Sequence, residues 1–247
     1  TFCSRVCSRW RRGRLKNKGS PPIAPIASLG RLIAVGGHSR YVGKTSLIVQ
    51  LLPLLGDNEW IAVKISTHRH VPNQTSDSVV EEFDRDGLSP TARYLRAGAR
   101  RSFLRRAADD EMRSAAEWIA ELLRLGHNVI VESNRIVDHI PWDLVFFVVA
   151  PAIGDWKASS AACLSKADAV VLSGSGCLPD HARDCCSRMT ETFSTRFGEA
   201  TPVELIDWIR NRIPVHDSVC VPRARFGKRK RMATQICLSG GVHPTQM

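Results

Sequence analysis

Ten consecutive residues concentrate the chemistry this chain could perform: Gly37-His38-Ser39-Arg40-Tyr41-Val42-Gly43-Lys44-Thr45-Ser46. The run follows a short apolar stretch and leads into a helical period, the strand, loop and helix context that a phosphate-binding loop requires. Successive backbone N–H groups and a helix N-terminus would face phosphate oxygens there. Lys44 would neutralise phosphate charge as the catalytic cation, Thr45 would offer its hydroxyl to Mg²⁺, and Gly43 would leave room for close approach. The expected ligand is a purine nucleoside triphosphate, GTP or ATP, contacted by Gly37, His38, Ser39, Arg40, Gly43, Lys44, Thr45 and Ser46.

Glu132 is the candidate acid for the same metal. It ends the apolar run Val129-Ile130-Val131, and strand C-termini in open α/β sheets face the ligand crevice. Asp84 and Asp86 stand next in line. If Glu132 acts through the metal alone, Glu132→Gln leaves the ligand-free fold as stable as before, or more so. His68 and His70 are too few for a metal site and read as pocket-lining or anion-contacting residues. Ser165-Lys166-Ala167-Asp168 has letters similar to a guanine-reading Asn-Lys-x-Asp motif, but it precedes its strand, so it reads as a helix end and turn. No residue stands out for positioning an attacking water, and any hydrolysis is expected to be slow.

The elements that must position these residues follow from hydrophobic periodicity. Leu32 to Val35, Trp60 to Ile65, Arg101 to Leu104, Val129 to Val131, Leu144 to Val149 and Ala169 to Leu172 read as strands. Continuous apolar strands alternating with helices predict an α/β fold, a P-loop NTPase-like, mostly parallel sheet with helices on both faces. A helix starts at Lys44, and Pro53 kinks or ends it. Ser66 to Asp86 lacks a period and reads as a functional loop or lid. Ser89-Pro90 opens a short helix that ends at Gly98. Asp109 or Asp110 caps a helix with apolar residues at 112, 115, 116, 119, 122 and 123, closed by Gly126. After Gly176, the residues Ala182, Cys185, Cys186, Met189, Phe193 and Phe197 share one helical face, and a last helix runs from Pro202 to Arg212.

The chain has 247 residues and a formal charge of +11, but the charge sits at its ends. Residues 1–18 carry +7 and residues 212–247 carry +6, leaving −2 between them. A basic nucleic-acid-binding face on the fold is therefore not expected, and Lys228 to Arg231 read as a solvated charge run. Residues 1–28 read as a disordered basic leader with a Pro-rich linker, 29–213 as the nucleotide-binding domain, and 214–247 as a disordered basic tail. The start lacks a signal peptide's apolar core and reads as the edge of a truncated or misassigned gene product. No run approaches the ~20 apolar residues of a membrane span. The 8 cysteines show no paired C-x-x-C spacing, which speaks against structural zinc and, with no secretory segment, for a cytoplasmic protein with reduced thiols.

A loop with five residues between Gly37 and Gly43 resembles that of dethiobiotin synthetases and cobyric-acid-type amidotransferases. These belong to a wider P-loop class that includes MobB, the molybdopterin-guanine dinucleotide biosynthesis protein B family. Three further stretches resemble the MobB-like branch. Val63-Lys64-Ile65-Ser66-Thr67-His68-Arg69-His70 is similar to its Lys-x-Thr-His-His segment, and Thr91 to Ala99 to its Asp-Ser/Thr…Ala-Gly-Ala element. Val129 to Asn134 stands where the family has a strand ending in Val-Glu-Gly. The resemblance spans residues 31–175, with Pro90 in place of the family's Asp and Ser133 in place of its Gly. It implies a Mg²⁺-dependent, GTP-preferring accessory of molybdenum-cofactor biosynthesis that works with a molybdopterin-processing protein, and it leaves room for a homodimer. A second resemblance, to dethiobiotin synthetases, implies an ATP-dependent small-molecule ligase or kinase with Lys64 and His68 facing a carboxylate substrate. Anion binding through the basic ends is a third reading.

Overall fold

The structure, a computed structural model, describes residues 30–56, 60–67, 78–186 and 190–213. The expected leader, the expected tail, and His68 and His70 lie outside these residues. Eight strands form one sheet: β1 (Leu32–Gly37), β2 (Trp60–Ser66), β3 (Ser78–Glu82), β4 (Arg101–Arg106), β5 (Asn128–Glu132), β6 (Leu144–Val149), β7 (Ala169–Ser173) and β8 (Glu191–Thr195). Their order is β3-β4-β2-β5-β1-β6-β7-β8, with every neighbour parallel except β3 against β4. The helices are α1 (Lys44–Leu51), α2 (Pro90–Arg96), α3 (Met112–Arg124), α4 (Ser160–Leu164), α5 (Asp180–Arg183) and α6 (Val203–Arg212).

The continuous apolar strands are buried on both faces, and successive side chains divide between them. Ile33 and Val35 of β1 pack with Leu47, Ile48 and Leu51 of α1, Tyr94 of α2, and Leu205 and Ile209 of α6. On the other face Leu32, Val129 and Val131 pack against Met112, Ala115, Ile119 and Leu123 of α3. Ala34, Phe147 and Val170 pack there with Cys163 and Leu164 of α4. Burying each large aliphatic side chain contributes roughly 1.5–3 kcal/mol. This is the expected α/β fold, a mostly parallel sheet with helices on both faces. Among the described residues no helix is long and apolar enough to cross a membrane.

Local signals hold at several element ends. α1 stops at Leu51, and Pro53 sits in the single 3₁₀ turn Leu52–Leu54 that follows it. The Ser89 hydroxyl accepts from the Ala92 N–H at 3.0 Å, with Pro90 in the first helical position of α2. Gly126 closes α3 with φ +82°.

Three expectations need correction. Residues 66–86 are not simply a loop: Ser78–Glu82 form β3, antiparallel to β4 at the sheet edge. Val79 and Val80 are 40% and 48% exposed, so this short edge strand carries no buried apolar pattern to reveal it. Neither Asp109 nor Asp110 caps α3. They lie in the 3₁₀ turn Asp109–Glu111, whose Glu111 carboxylate accepts from the Ala108 N–H at 2.6 Å. Of the long helix expected after Gly176 the described residues show α5, Met189 lies outside them, and Glu191–Thr195 extend the sheet as β8 beside β7. Phe193 therefore sits on a strand, edge-on to Trp208 of α6 at 5.5 Å between ring centroids. An open parallel edge at β7 outweighed a helical spacing that fitted by chance.

Candidate functional site

β2, β5 and β1 are adjacent and parallel, so their C-terminal ends open on one edge of the sheet. The Gly37–Thr45 loop leaves β1 there and enters α1 at Gly43, whose φ of +103° suits glycine. A Cβ at Gly43 would lie 1.8 Å from the Phe197 ring, so the loop needs this glycine for space as well as conformation. Tyr41 takes a left-handed φ of +58° and is 94% exposed.

Glu132 ends β5, with Val35 of β1 and Lys64 of β2 as its register partners. Cross-strand neighbours on one face interact directly, and Lys64 Nζ donates to Glu132 Oε1 at 2.5 Å. The Thr45 hydroxyl donates to Glu132 Oε2 at 2.6 Å, and the fully buried Tyr94 hydroxyl donates to the same oxygen. Burial by itself would raise the Glu132 pKa. The Lys64 charge, with the hydrogen bonds from Lys64, Thr45 and Tyr94, outweighs it and holds the carboxylate below its usual range. Burial, followed by the Glu132 charge, pushes the Tyr94 phenol well above its ordinary value. Glu132 is thus an ionised carboxylate aimed at the hydroxyl of Thr45.

Lys44 bends over its own loop and donates to the Ser39 carbonyl at 2.5 Å. Burial lowers its pKa to about 8, with Glu132 opposing the shift and Lys157 and Lys64 adding to it. Ser46 accepts from the Arg93 guanidinium at 3.3 Å. A cavity of about 610 Å³ opens over this group and is lined by Arg40, Gly43, Lys44, Thr45, Ser46 and Glu132 among others.

Gly37, His38 and Ser39 do not line it. The Gly37 N–H donates to Asn134 Oδ1, and Asn134 Nδ2 returns a bond to the Gly37 carbonyl, both at 2.8 Å. The His38 N–H donates to the Val148 carbonyl, its ring nitrogen Nε2 lies 3.0 Å from the Ile153 carbonyl, and its ring packs on Trp156. Burial lowers the His38 pKa. The first half of the loop thus ties it to the fold, and the second half faces the cavity.

The fallback acids Asp84 and Asp86 lie away from the cavity lining. Asp84 accepts from the Asp86 N–H at 2.8 Å. Ser133 keeps the strand end in register by donating its N–H to the Val35 carbonyl at 3.2 Å. The Ser165–Asp168 turn is structural. Lys166 pairs with Asp138 at 2.7 Å, and Asp168 accepts from the Val145 N–H at 2.8 Å. Among the described residues, no three or more His, Cys, Asp or Glu side chains gather into a metal site. One hydroxyl and one carboxylate suit a hard cation that keeps waters and phosphate oxygens as its other ligands, as Mg²⁺ does.

The sequence reading missed Asn134, Tyr94, Arg93, Arg135 and Lys157. Tyr94 could have been suspected from its place on the buried face of the Thr91–Ala99 segment. The cations of separate elements left no signal, because their proximity is created by the sheet.

No family model and no curated protein matches the chain. Among solved structures it is similar to HypB from Helicobacter pylori in complex with nickel, at 10% identity and TM-score 0.44, covering 85% of this chain and 90% of that one. It is also similar to the "apo" form of LpxK from Aquifex aeolicus in complex with ATP, at 17% identity and TM-score 0.40, covering 83% and 67%. Likeness this distant transfers no chemistry.

Proposed function

We propose that the chain is a Mg²⁺-dependent purine nucleoside triphosphate-binding protein. The reading rests on one observation above all: the Thr45 hydroxyl and the buried Glu132 carboxylate meet at 2.6 Å beside a lysine-bearing loop at a helix N-terminus. Lys44 leaves the Ser39 carbonyl to neutralise phosphate charge, and the N-terminal turn of α1 orients the phosphate oxygens. Thr45 and Glu132 would hold Mg²⁺, which supplies charge neutralisation between phosphate oxygens. GTP preference and a role as an accessory of molybdenum-cofactor maturation, with a molybdopterin-processing partner, rest on the MobB-like resemblance.

The ligase or kinase reading draws support from a different observation. Lys64 lines the same cavity, where a small acidic acceptor could meet it. Stimulation of phosphate release by a small acid would favour it. The main reading is tested by melting the protein with ATP, GTP, their diphosphates and no nucleotide, each with Mg²⁺ and with EDTA. A triphosphate at a hundred times its Kd should add about 2.7 kcal/mol of stability. Failure of every nucleotide to shift the melt in Mg²⁺ would reject it.

A further inference from the structure

Among the described residues six cations line the cavity, and the phosphate loop supplies two of them, Arg40 and Lys44. Lys64, Arg93, Arg135 and Lys157 converge on it from β2, α2, the turn after β5 and the segment before α4. Among the same described residues one carboxylate, Glu132, lines the space. Lys64 pairs with Glu132, and Arg135 pairs with Asp109. Among the described residues no carboxylate pairs with Arg93 or Lys157. Like charges held together without counterions are costly unless a ligand compensates them. Lys157 lies close to three of the other cations: its pKa is lowered first by burial and then by Arg40, Arg135 and Lys64. A triphosphate already partnered by Mg²⁺ cancels only part of this surplus.

We propose that the cavity binds a second anion beside the nucleotide, a small molecule bearing a phosphate monoester, held by Arg93 and Lys157. A phosphate monoester brings about −1.5 to −2 charges and three strong acceptor oxygens. The Arg93 guanidinium and the Lys157 ammonium donate hydrogen bonds and accept none, which matches such a group. The inference builds on the nucleotide reading but places the second ligand on residues outside the phosphate loop.

The test uses the full chain, saturated with Mg²⁺ and a non-hydrolysable triphosphate analogue, titrated calorimetrically with inorganic phosphate at constant ionic strength. Malonate and chloride serve as parallel probes. Phosphate should bind alongside the analogue, more tightly than malonate or chloride. Arg93→Ala with Lys157→Ala, both outside the core, should weaken phosphate about tenfold or more and weaken the analogue by a clearly smaller factor, since Arg93 also bonds Ser46 and Lys157 acts on Lys44. Loss of phosphate binding on saturation with analogue, or equal binding of malonate, would overturn the proposal. So would a double variant that loses the analogue instead. If the analogue itself does not bind, the titration is repeated without it in the wild type, Lys44→Ala and the double variant. Phosphate binding sensitive to the double variant and indifferent to Lys44→Ala then keeps the second site while rejecting the nucleotide reading, and the reverse pattern rejects the second site.

Discussion

The two walls of the cavity are built in opposite ways. One is a single run of chain, the loop and first turn of α1, whose parts lie within ten residues of one another. The other is assembled from β2, α2, the turn after β5 and the segment before α4, residues as far apart as Lys64 and Lys157. Local backbone geometry shapes the first wall. The second exists only because parallel strands bring distant C-terminal ends to one edge. Glu132 belongs to both walls, since it touches Thr45 on one side and Lys64 on the other. Substitutions on the first wall should therefore act on nucleotide phosphates, and those at the junction should act on both binding and stability.

Lys44→Ala should have the largest effect, weakening nucleoside triphosphate binding about a hundredfold or more. Among the described residues its side chain hydrogen-bonds to the Ser39 carbonyl of its own loop, so circular dichroism melts should place the variant close to the wild type. Retained binding in a folded variant would dissolve the contrast between the walls.

Glu132→Gln should weaken binding in Mg²⁺ about tenfold or more while changing binding in EDTA far less. The structure revises what the residue alone suggested about stability. This carboxylate accepts from Lys64, Thr45 and Tyr94 while 6% exposed. Removing its charge should therefore cost the ligand-free protein about 1–3 kcal/mol rather than nothing. Denaturant melts without nucleotide check this, and an unchanged midpoint would mean that Glu132 serves the metal alone.

The pH dependence should reveal Lys44 next. Its folded pKa is lowered from 10.5 to about 8, so below that value it is charged both with and without ligand. Above it, binding must first restore the proton, and affinity should fall by up to about tenfold per pH unit. The sign for stability is the reverse. Between about 8 and 10.5 the unfolded chain binds more protons at this residue, so its contribution to ligand-free stability rises with pH. Titrations from pH 7 to 9.5, with Lys44→Arg as the variant that should stay flat, check both.

Tyr94→Phe should have the smallest effect. It removes one of the donors to Glu132 and leaves the ring packing in place, so about 1 kcal/mol of stability should be lost. Affinity for nucleotide in Mg²⁺ should stay within about threefold. A larger loss of affinity would show that Tyr94 positions the carboxylate for the metal, which would shift the junction toward the second wall.

The amino-acid sequence by itself determined the elements whose signals are local. The loop and the start of α1 are written in glycine spacing and a helical period, α2 in Ser89-Pro90, α3 in its apolar stripe, and the parallel strands in runs apolar on both faces. Glu132 was legible because an acid ending an apolar strand is conspicuous. Tertiary structure alone decided the rest. β3 needed β4 as a partner to become a strand, and β8 needed the open edge of β7, which overrode a helical spacing around Phe193. The inward turn of His38 depended on Ile153 and Trp156, more than a hundred residues away. The convergence of Lys64, Arg93, Arg135 and Lys157 depended on strand order. The physical reason is common to all four: their free energies come from contacts between residues far apart in the chain, and no local propensity or period records which distant partner the folded sheet supplies.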